Sequence, residues 1–209
     1  MPGAGPGATP AVAAEGFRRR PRVGRSTLQP ARGEDAVNTG RLLLRTIIGG
    51  LFIGHGTQKL FGWFGGPGPS GTEQMMSKLE MRPPRHHALA AGTAEAAGGA
   101  LLAAGLATPL AAADLIGVMI TAIRKVHLSK GPWVSGGGYE YNLVLIAALL
   151  VLADDGPGAL SADRALGIEA KGPWWALAAL GAGAAATVIT VELGRRNATA
   201  VLGGDGGSR

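Results

Sequence analysis

Cysteine is absent from the 209-residue chain. Its absence excludes, within this chain, a disulfide, a thiol nucleophile, an iron–sulfur cluster and a covalently attached haem. A redox role would therefore need a bound organic cofactor, a metal held by histidines, or thiols that a partner supplies. Charge is also scarce, because charged residues make up 16% of the chain against 46% apolar residues. That charged share is low for a soluble protein.

A cluster of positive charge lies near the N-terminus. The net charge is +6, and several arginines stand close together there: Arg18, Arg19, Arg20, Arg22, Arg25 and Arg32. A basic patch points to nucleic acid in a soluble protein, but a basic tail before an apolar segment is typical of membrane proteins. We therefore expect no nucleic-acid partner. Residues 1–39 are rich in Gly, Pro, Ala and Arg without apolar periodicity, which predicts a disordered basic tail.

Apolar segments recur along the rest of the chain at lengths that suit the roughly 30 Å of hydrocarbon in a bilayer. The predicted membrane spans cover residues 41–62, 87–107, 109–128, 139–153 and 173–193. All four tryptophans lie at the ends of these segments, as expected for a membrane interface. Loops are predicted over 63–86, with a short interfacial helix at 72–80, and over 154–172. Residues 194–209 are predicted to be a disordered tail.

Small residues within the predicted spans indicate where helices approach each other closely. Gly50 and Gly54 form a GxxxG pair that would admit a second helix. Residues 181–186 fit a dinucleotide-binding glycine pattern, but no strand precedes them, so we interpret them as helix-packing residues. In the second span, Glu95 lies on a ridge of small residues, which should turn its carboxyl group toward the bundle interior.

Short connections make neighbouring spans antiparallel, so polar groups from several spans should meet at one membrane face. The candidate intramembrane cluster consists of His55, Lys59, Glu95, His127 and Glu140. Histidine titrates near neutral pH and the reduction of a quinone consumes protons, so His55 could donate a proton with Glu95 or Glu140 as its partner. The alternative is that the cluster supplies only interhelical hydrogen bonds and ion pairs. A haem held by His55 and His127 is a third interpretation, which no ligand spacing demands.

Two further charges lie inside spans near the opposite face. Arg45 in the first span and Asp114 in the third are each one to two turns from a span end. Either charge would be costly without a partner in lipid. We therefore predict that Arg45 and Asp114 form a structural ion pair. No metal site is predicted.

Five short motifs occur in an order that is similar to a known family. They are Arg41–Arg45 followed by Phe52–Gly62, Glu95–Gly99, Val126–His127, Gly137–Asn142, and Gly156–Gly158 with Ser161–Asp163. In this order the chain resembles the DoxX family of small bacterial membrane proteins over about residues 41–167. The resemblance implies an all-α, four-helix membrane domain at 40–167, to which residues 173–193 add a fifth transmembrane helix.

The resemblance also implies a location and a role. DoxX proteins are multi-pass proteins of the bacterial cell membrane, linked to quinone-coupled oxidation of sulfur compounds and to oxidative-stress complexes. We therefore expect the membrane subunit of an oxidoreductase complex, with quinone as cofactor. Its expected partners are the lipid bilayer and either soluble redox enzymes or other membrane subunits. Whether this chain is itself catalytic stays open. The alternatives are a non-catalytic scaffold that recruits redox enzymes through loops 63–86 and 128–138, or a small-molecule carrier.

Overall fold

The computed structural model describes residues 38–204, with side chains to Asn197, and the isolated positions Met1, Gly3 and Gly5. Almost all of the N-terminal tail that was predicted to be disordered, and residues 205–209, lie outside this part of the chain. Throughout the described residues the chain is helical, with turns and short connections and no strand. The prediction of an all-α protein is confirmed.

Seven α-helices follow one another along the described chain. They are α1 (Thr39–Phe61), α2 (Gly68–Lys78), α3 (Pro84–Ala104), α4 (Thr108–Ala122), α5 (Glu140–Asp155), α6 (Ala162–Leu166) and α7 (Pro173–Gly204). Local signals explain several ends. The Asn38 side chain accepts a hydrogen bond from Arg41 N and caps α1, while Gly62 and Gly105 end α1 and α3 in the left-handed conformation.

The helices depart from the predicted segments in three places. The predicted loop at 63–86 contains α2, which begins four residues before the interfacial helix expected at 72–80. The loop at 154–172 contains α6. Helix α7 continues to Gly204, whereas a disordered tail was predicted from Gly194. Glu192 accepts hydrogen bonds from Arg195 and Arg196, and such pairs three and four residues apart stabilise the helix beyond its apolar part.

Helix α4 lies at the centre of the packing, in contact with α3, α5 and α7. Its buried side chains include Leu115, Ile116 and Met119, and they meet Leu145 and Leu149 of α5 in the main apolar core. Because α4 is covered on several sides, its positions alternate little between buried and exposed.

Helices α1 and α3 approach each other closely, but not through the predicted glycine pair. A side chain at Gly49 would come within 2.8 Å of Ala103 N, and one at Gly56 within 2.6 Å of the Gly92 carbonyl oxygen. Nothing in the described chain lies within 4 Å of where a side chain at Gly50 or Gly54 would begin. The contact therefore uses glycines seven residues apart, which lie on the same side of an α-helix.

Helix α7 packs against α4 in the same manner. Gly183 faces the backbone of Ala113 and Gly117, and the Thr187 hydroxyl lies 2.9 Å from the Gly117 carbonyl oxygen. The interpretation of residues 181–186 as helix-packing residues agrees with the position of Gly183. Gly181 has no such neighbour in the described part of the chain.

The start of α4 depends on a carboxylate from α6. Asp163 is buried and accepts hydrogen bonds from Ala107 N (2.7 Å), Thr108 N (3.0 Å) and the Thr108 hydroxyl (2.9 Å). Ala107, which precedes α4, offers no capping side chain of its own. The motif residue Asp163 therefore closes the helix end from 56 residues away.

The predicted ion pair between Arg45 and Asp114 is not formed. The buried Arg45 guanidinium donates instead to the Ala103 carbonyl oxygen at 2.8 Å and to the Leu160 carbonyl oxygen. Ala103 lies at the end of α3 and Leu160 in the connection between α5 and α6. The Asp114 carboxylate lies against Gly98, more than a turn away from Ala103 along α3. Backbone carbonyls therefore take the place of the predicted carboxylate, while Nε of Arg45 is buried without a hydrogen-bond partner in the described chain.

Among the described helices, one segment is both long and apolar enough to cross a membrane, judged by length and composition alone. It is Pro173–Asn197 in α7, and 17% of its most apolar 18-residue stretch is buried. Helices α4 and α5 have only 15 and 16 residues. Helices α1 and α3 are longer but include several ionisable side chains. The predicted arrangement of four spans plus a fifth is therefore not confirmed.

Candidate functional site

An ion pair between α1 and α3 lies at the centre of the predicted polar cluster. Lys59 Nζ donates to Glu95 Oε2, and both side chains are largely buried, with exposed fractions of 18% and 7%. The two helix backbones lie close together here, because a side chain at Gly56 would meet Ala96 and one at Gly92 would meet Lys59. The pair lines two cavities at once.

The larger cavity, of about 380 Å³, lies between α3, α4 and α7 and is covered by α2 with the turn that follows it. Flexible apolar side chains form much of its wall, namely Met75, Met76, Leu79 and Met81. Its ionisable lining residues are Lys59, His87, Glu95, Asp114, Lys125 and His127. An apolar pocket with a few convergent polar groups is the usual form of a small-molecule site.

The smaller cavity, of about 300 Å³, lies between α1, α4 and α5. His55, Tyr141 and Asn142 line it together with the residues that it shares with the larger cavity. The shared residues are Lys59, Glu95, Ala122 and His127. The ion pair and His127 therefore stand in the wall between the two cavities.

His127 belongs to a π-helical turn, Ile123–His127, that continues α4. Its Nδ1 lies 2.7 Å from the Gly137 carbonyl oxygen. A carbonyl only accepts hydrogen bonds, so Nδ1 carries the proton and Nε2 remains available to accept one. Local π-helical turns are frequent at functional sites, and this one turns His127 toward the loop before α5.

The remaining members of the predicted cluster differ in their positions. His55 is exposed at the edge of the smaller cavity, where its Nδ1 donates to Gln58 Oε1 at 3.1 Å. Glu140 lines neither cavity, and its Oε1 accepts a hydrogen bond of 2.6 Å from Val134 N. The structure thus gathers His55, Lys59, Glu95 and His127 and leaves Glu140 as a support for the turn at 134–136.

Several residues of the larger cavity were not predicted from the sequence as parts of one site. Along α4 and the π-helical turn that continues it, the residues that line the cavity recur at intervals of one, three and four: Asp114, Gly117, Val118, Thr121, Ala122 and Lys125. This spacing marks one helix face and could have been read from the sequence. The contribution of Thr187 and Thr190 could not, because the position of α7 against α4 is set by packing.

Comparison with protein families found that the DoxX family model matches residues 40–128. Comparison with curated proteins and with solved structures found no match. The matched segment runs from α1 through the π-helical turn, so it contains Lys59, Glu95 and His127 but not α5 or α7. The resemblance inferred from the motifs is confirmed over residues 40–128, where the chain is similar to the DoxX family of membrane proteins.

Proposed function

We propose that the protein crosses the bacterial cell membrane several times, with α1, α3, α4 and α5 as the DoxX bundle and α7 as a fifth span. The outward surfaces of its helices support this arrangement. Large apolar side chains are exposed on three of them: Leu43, Ile47, Leu143, Val144, Val151, Leu177, Val188 and Ile189. Large exposed apolar patches are rare in soluble proteins, and lipid would cover these side chains here.

Within this membrane protein, we assign the larger cavity to a quinone, which makes the chain the membrane subunit of a quinone-linked redox complex. The observation that carries the proposal is the buried Lys59–Glu95 ion pair in the wall of a methionine-lined cavity. Ionisable groups inside membrane proteins are rare and mark functional sites by default. Methionine side chains adapt to flat rings, which suits a quinone head group.

The ionisable groups of this wall fit the proton demand of quinone chemistry. Reduction of a quinone to a quinol takes up two electrons and two protons. A soluble redox enzyme bound to the membrane subunit would supply the electrons, as the family resemblance implies. Glu95 and the free Nε2 of His127 can each hold a proton beside the cavity, and Lys59 balances the charge of Glu95 while that proton is absent.

Filling the larger cavity should abolish quinone binding. We expect the detergent-purified protein to bind decylubiquinone, and Ala94→Phe, which places a ring in the cavity, to weaken binding at least about tenfold. Ala97→Phe is the matched control, because Ala97 lies three residues on along α3 and is exposed. Binding can be measured by quenching of tryptophan fluorescence.

Two results would contradict this assignment. The assignment of a quinone would be wrong if the wild-type protein bound no added quinone and carried none from its membrane. Equal binding by wild type and by a folded Ala94→Phe variant would move the site away from the larger cavity.

A scaffold function has one observation in its favour. Aromatic side chains are exposed at the turns beside the site, with Phe64 at 77% and Trp133 at 68%, and Trp63 packs against Phe61 at 5.2 Å between ring centroids. Aromatic residues dominate protein interfaces as well as membrane interfaces. If the protein is only a scaffold, a co-purifying redox enzyme should be lost in Phe64→Ser with Trp133→Ser and retained in Ala94→Phe.

A further inference from the structure

Asp114 stands in the wall of the larger cavity without a partner. Its carboxyl group lies where a side chain on Gly98 would be, so the glycine of α3 leaves room for it. The residue is half-buried. Within the part of the chain that the structure describes, it makes neither a hydrogen bond nor an ion pair.

The groups around Asp114 do not offer it a cation. Glu95 carries the same charge, and Lys59 is already engaged by Glu95. Lys125 lies eleven residues further on, in the π-helical turn that continues α4, about 16 Å away by the helical rise. The histidines that face the cavity, His87 and His127, each bond a backbone carbonyl oxygen.

Helix α7 also leaves Asp114 without a partner. It presents hydroxyl groups rather than charges to the cavity, and Thr187 already lies within 3.0 Å of the Gly117 and Gly183 carbonyl oxygens. An ionised carboxyl group is costly in such surroundings, whereas a neutral one carries an O–H donor that needs an acceptor. A molecule bound in the cavity can supply this acceptor.

We propose that Asp114, as a neutral carboxylic acid, donates its O–H to a carbonyl oxygen of the ring held in the larger cavity. The proposal rests on the assignment of that cavity to a quinone and adds the residue that orients the ring. The contact is a hydrogen bond between the Asp114 carboxyl group and the ligand, and it forms and breaks no covalent bond.

Substitutions of Asp114 should distinguish the effect of losing its hydrogen-bond donor from the effect of losing its carboxyl group. We expect Asp114→Leu to weaken decylubiquinone binding about tenfold, which corresponds to about 1.4 kcal/mol. Asp114→Asn keeps an N–H donor and should stay within about threefold of wild type. Asp155→Asn, at the exposed end of α5, is the matched control and should bind as wild type does. Melting temperatures without ligand report whether each variant folds.

Infrared difference spectroscopy supplies a second readout that a purely structural role would not change. Binding of decylubiquinone to wild type should shift the C=O stretching band of a protonated carboxyl group. The shift should vanish in Asp114→Asn and persist in Asp155→Asn. A shift that persists in Asp114→Asn, or a folded Asp114→Leu variant with wild-type affinity, would overturn the role of Asp114 while the quinone site stands. Failure of wild type to bind would overturn both proposals.

Discussion

Glu95→Leu is expected to lower the stability of the protein by about 3–5 kcal/mol, the cost of leaving one partner of a buried ion pair alone. The Lys59 ammonium group would remain between α1 and α3, where only 18% of the side chain is exposed. Because whole domains are stable by about 5–15 kcal/mol, we expect a large fall in melting temperature and in the yield of monodisperse protein in detergent.

Removing both charges should recover most of the stability that Glu95→Leu loses. In Lys59→Met with Glu95→Leu, two apolar side chains of similar length replace the pair, and such replacements are often neutral for stability. The double variant should therefore melt closer to wild type than Glu95→Leu does, which a double-mutant cycle measures as coupling. Glu192→Leu is the control, because it removes a carboxylate whose arginine partners are exposed on α7, and it should change the melting temperature little.

The same double variant separates stability from function. If the pair serves only to hold α1 against α3, the double variant should fold and bind decylubiquinone as wild type does. If the pair serves the cavity, the double variant should fold but bind decylubiquinone more weakly than wild type, because it lacks the polar wall that the quinone meets. A Glu95→Leu protein that melts like wild type would show that the pair is not buried and would remove the basis for both interpretations.

The sequence predicted the depth of polar groups better than their direction. Glu95 was placed correctly because it lies on a ridge of small residues, and such ridges face other helices. Arg45 and Asp114 were paired because each lies one to two turns inside its helix, on the same side of the bundle. The rotation of α4 about its own axis decides which residue Asp114 meets, and packing against α3, α5 and α7 sets that rotation.

Contacts between residues far apart in sequence account for the other differences. Asp163 of α6 caps α4 across 56 residues. No local sequence signal at Ala107 indicates that the cap comes from α6. The larger cavity forms only when α2, α3, α4 and α7 pack together. From the sequence alone, its methionines therefore indicate only the apolar face of a short helix. Helix positions follow from periodicity, whereas cavities follow from the imperfect fit between helices.

Gly56→Leu is expected to destabilise the protein by at least about 3 kcal/mol, the upper end of the cost of overpacking. A side chain there would meet backbone atoms of Gly92 and Ala96, which cannot move aside as a flexible side chain can. Gly54→Leu is the matched control on the same helix. Both substitutions raise helix propensity equally, and nothing described lies within 4 Å of a Cβ atom at position 54.

The two variants separate the contact seen in the structure from the GxxxG pair predicted from the sequence. Melting temperature and the yield of monodisperse protein should fall sharply for Gly56→Leu and stay near wild type for Gly54→Leu. The opposite order would mean that α1 turns its other side toward α3. Gly56 precedes Lys59 by about one turn, so a displaced α1 would also draw Lys59 away from Glu95. Any Gly56→Leu protein that still folds should therefore lose decylubiquinone binding as well, because the wall between the cavities depends on that close approach of the two backbones.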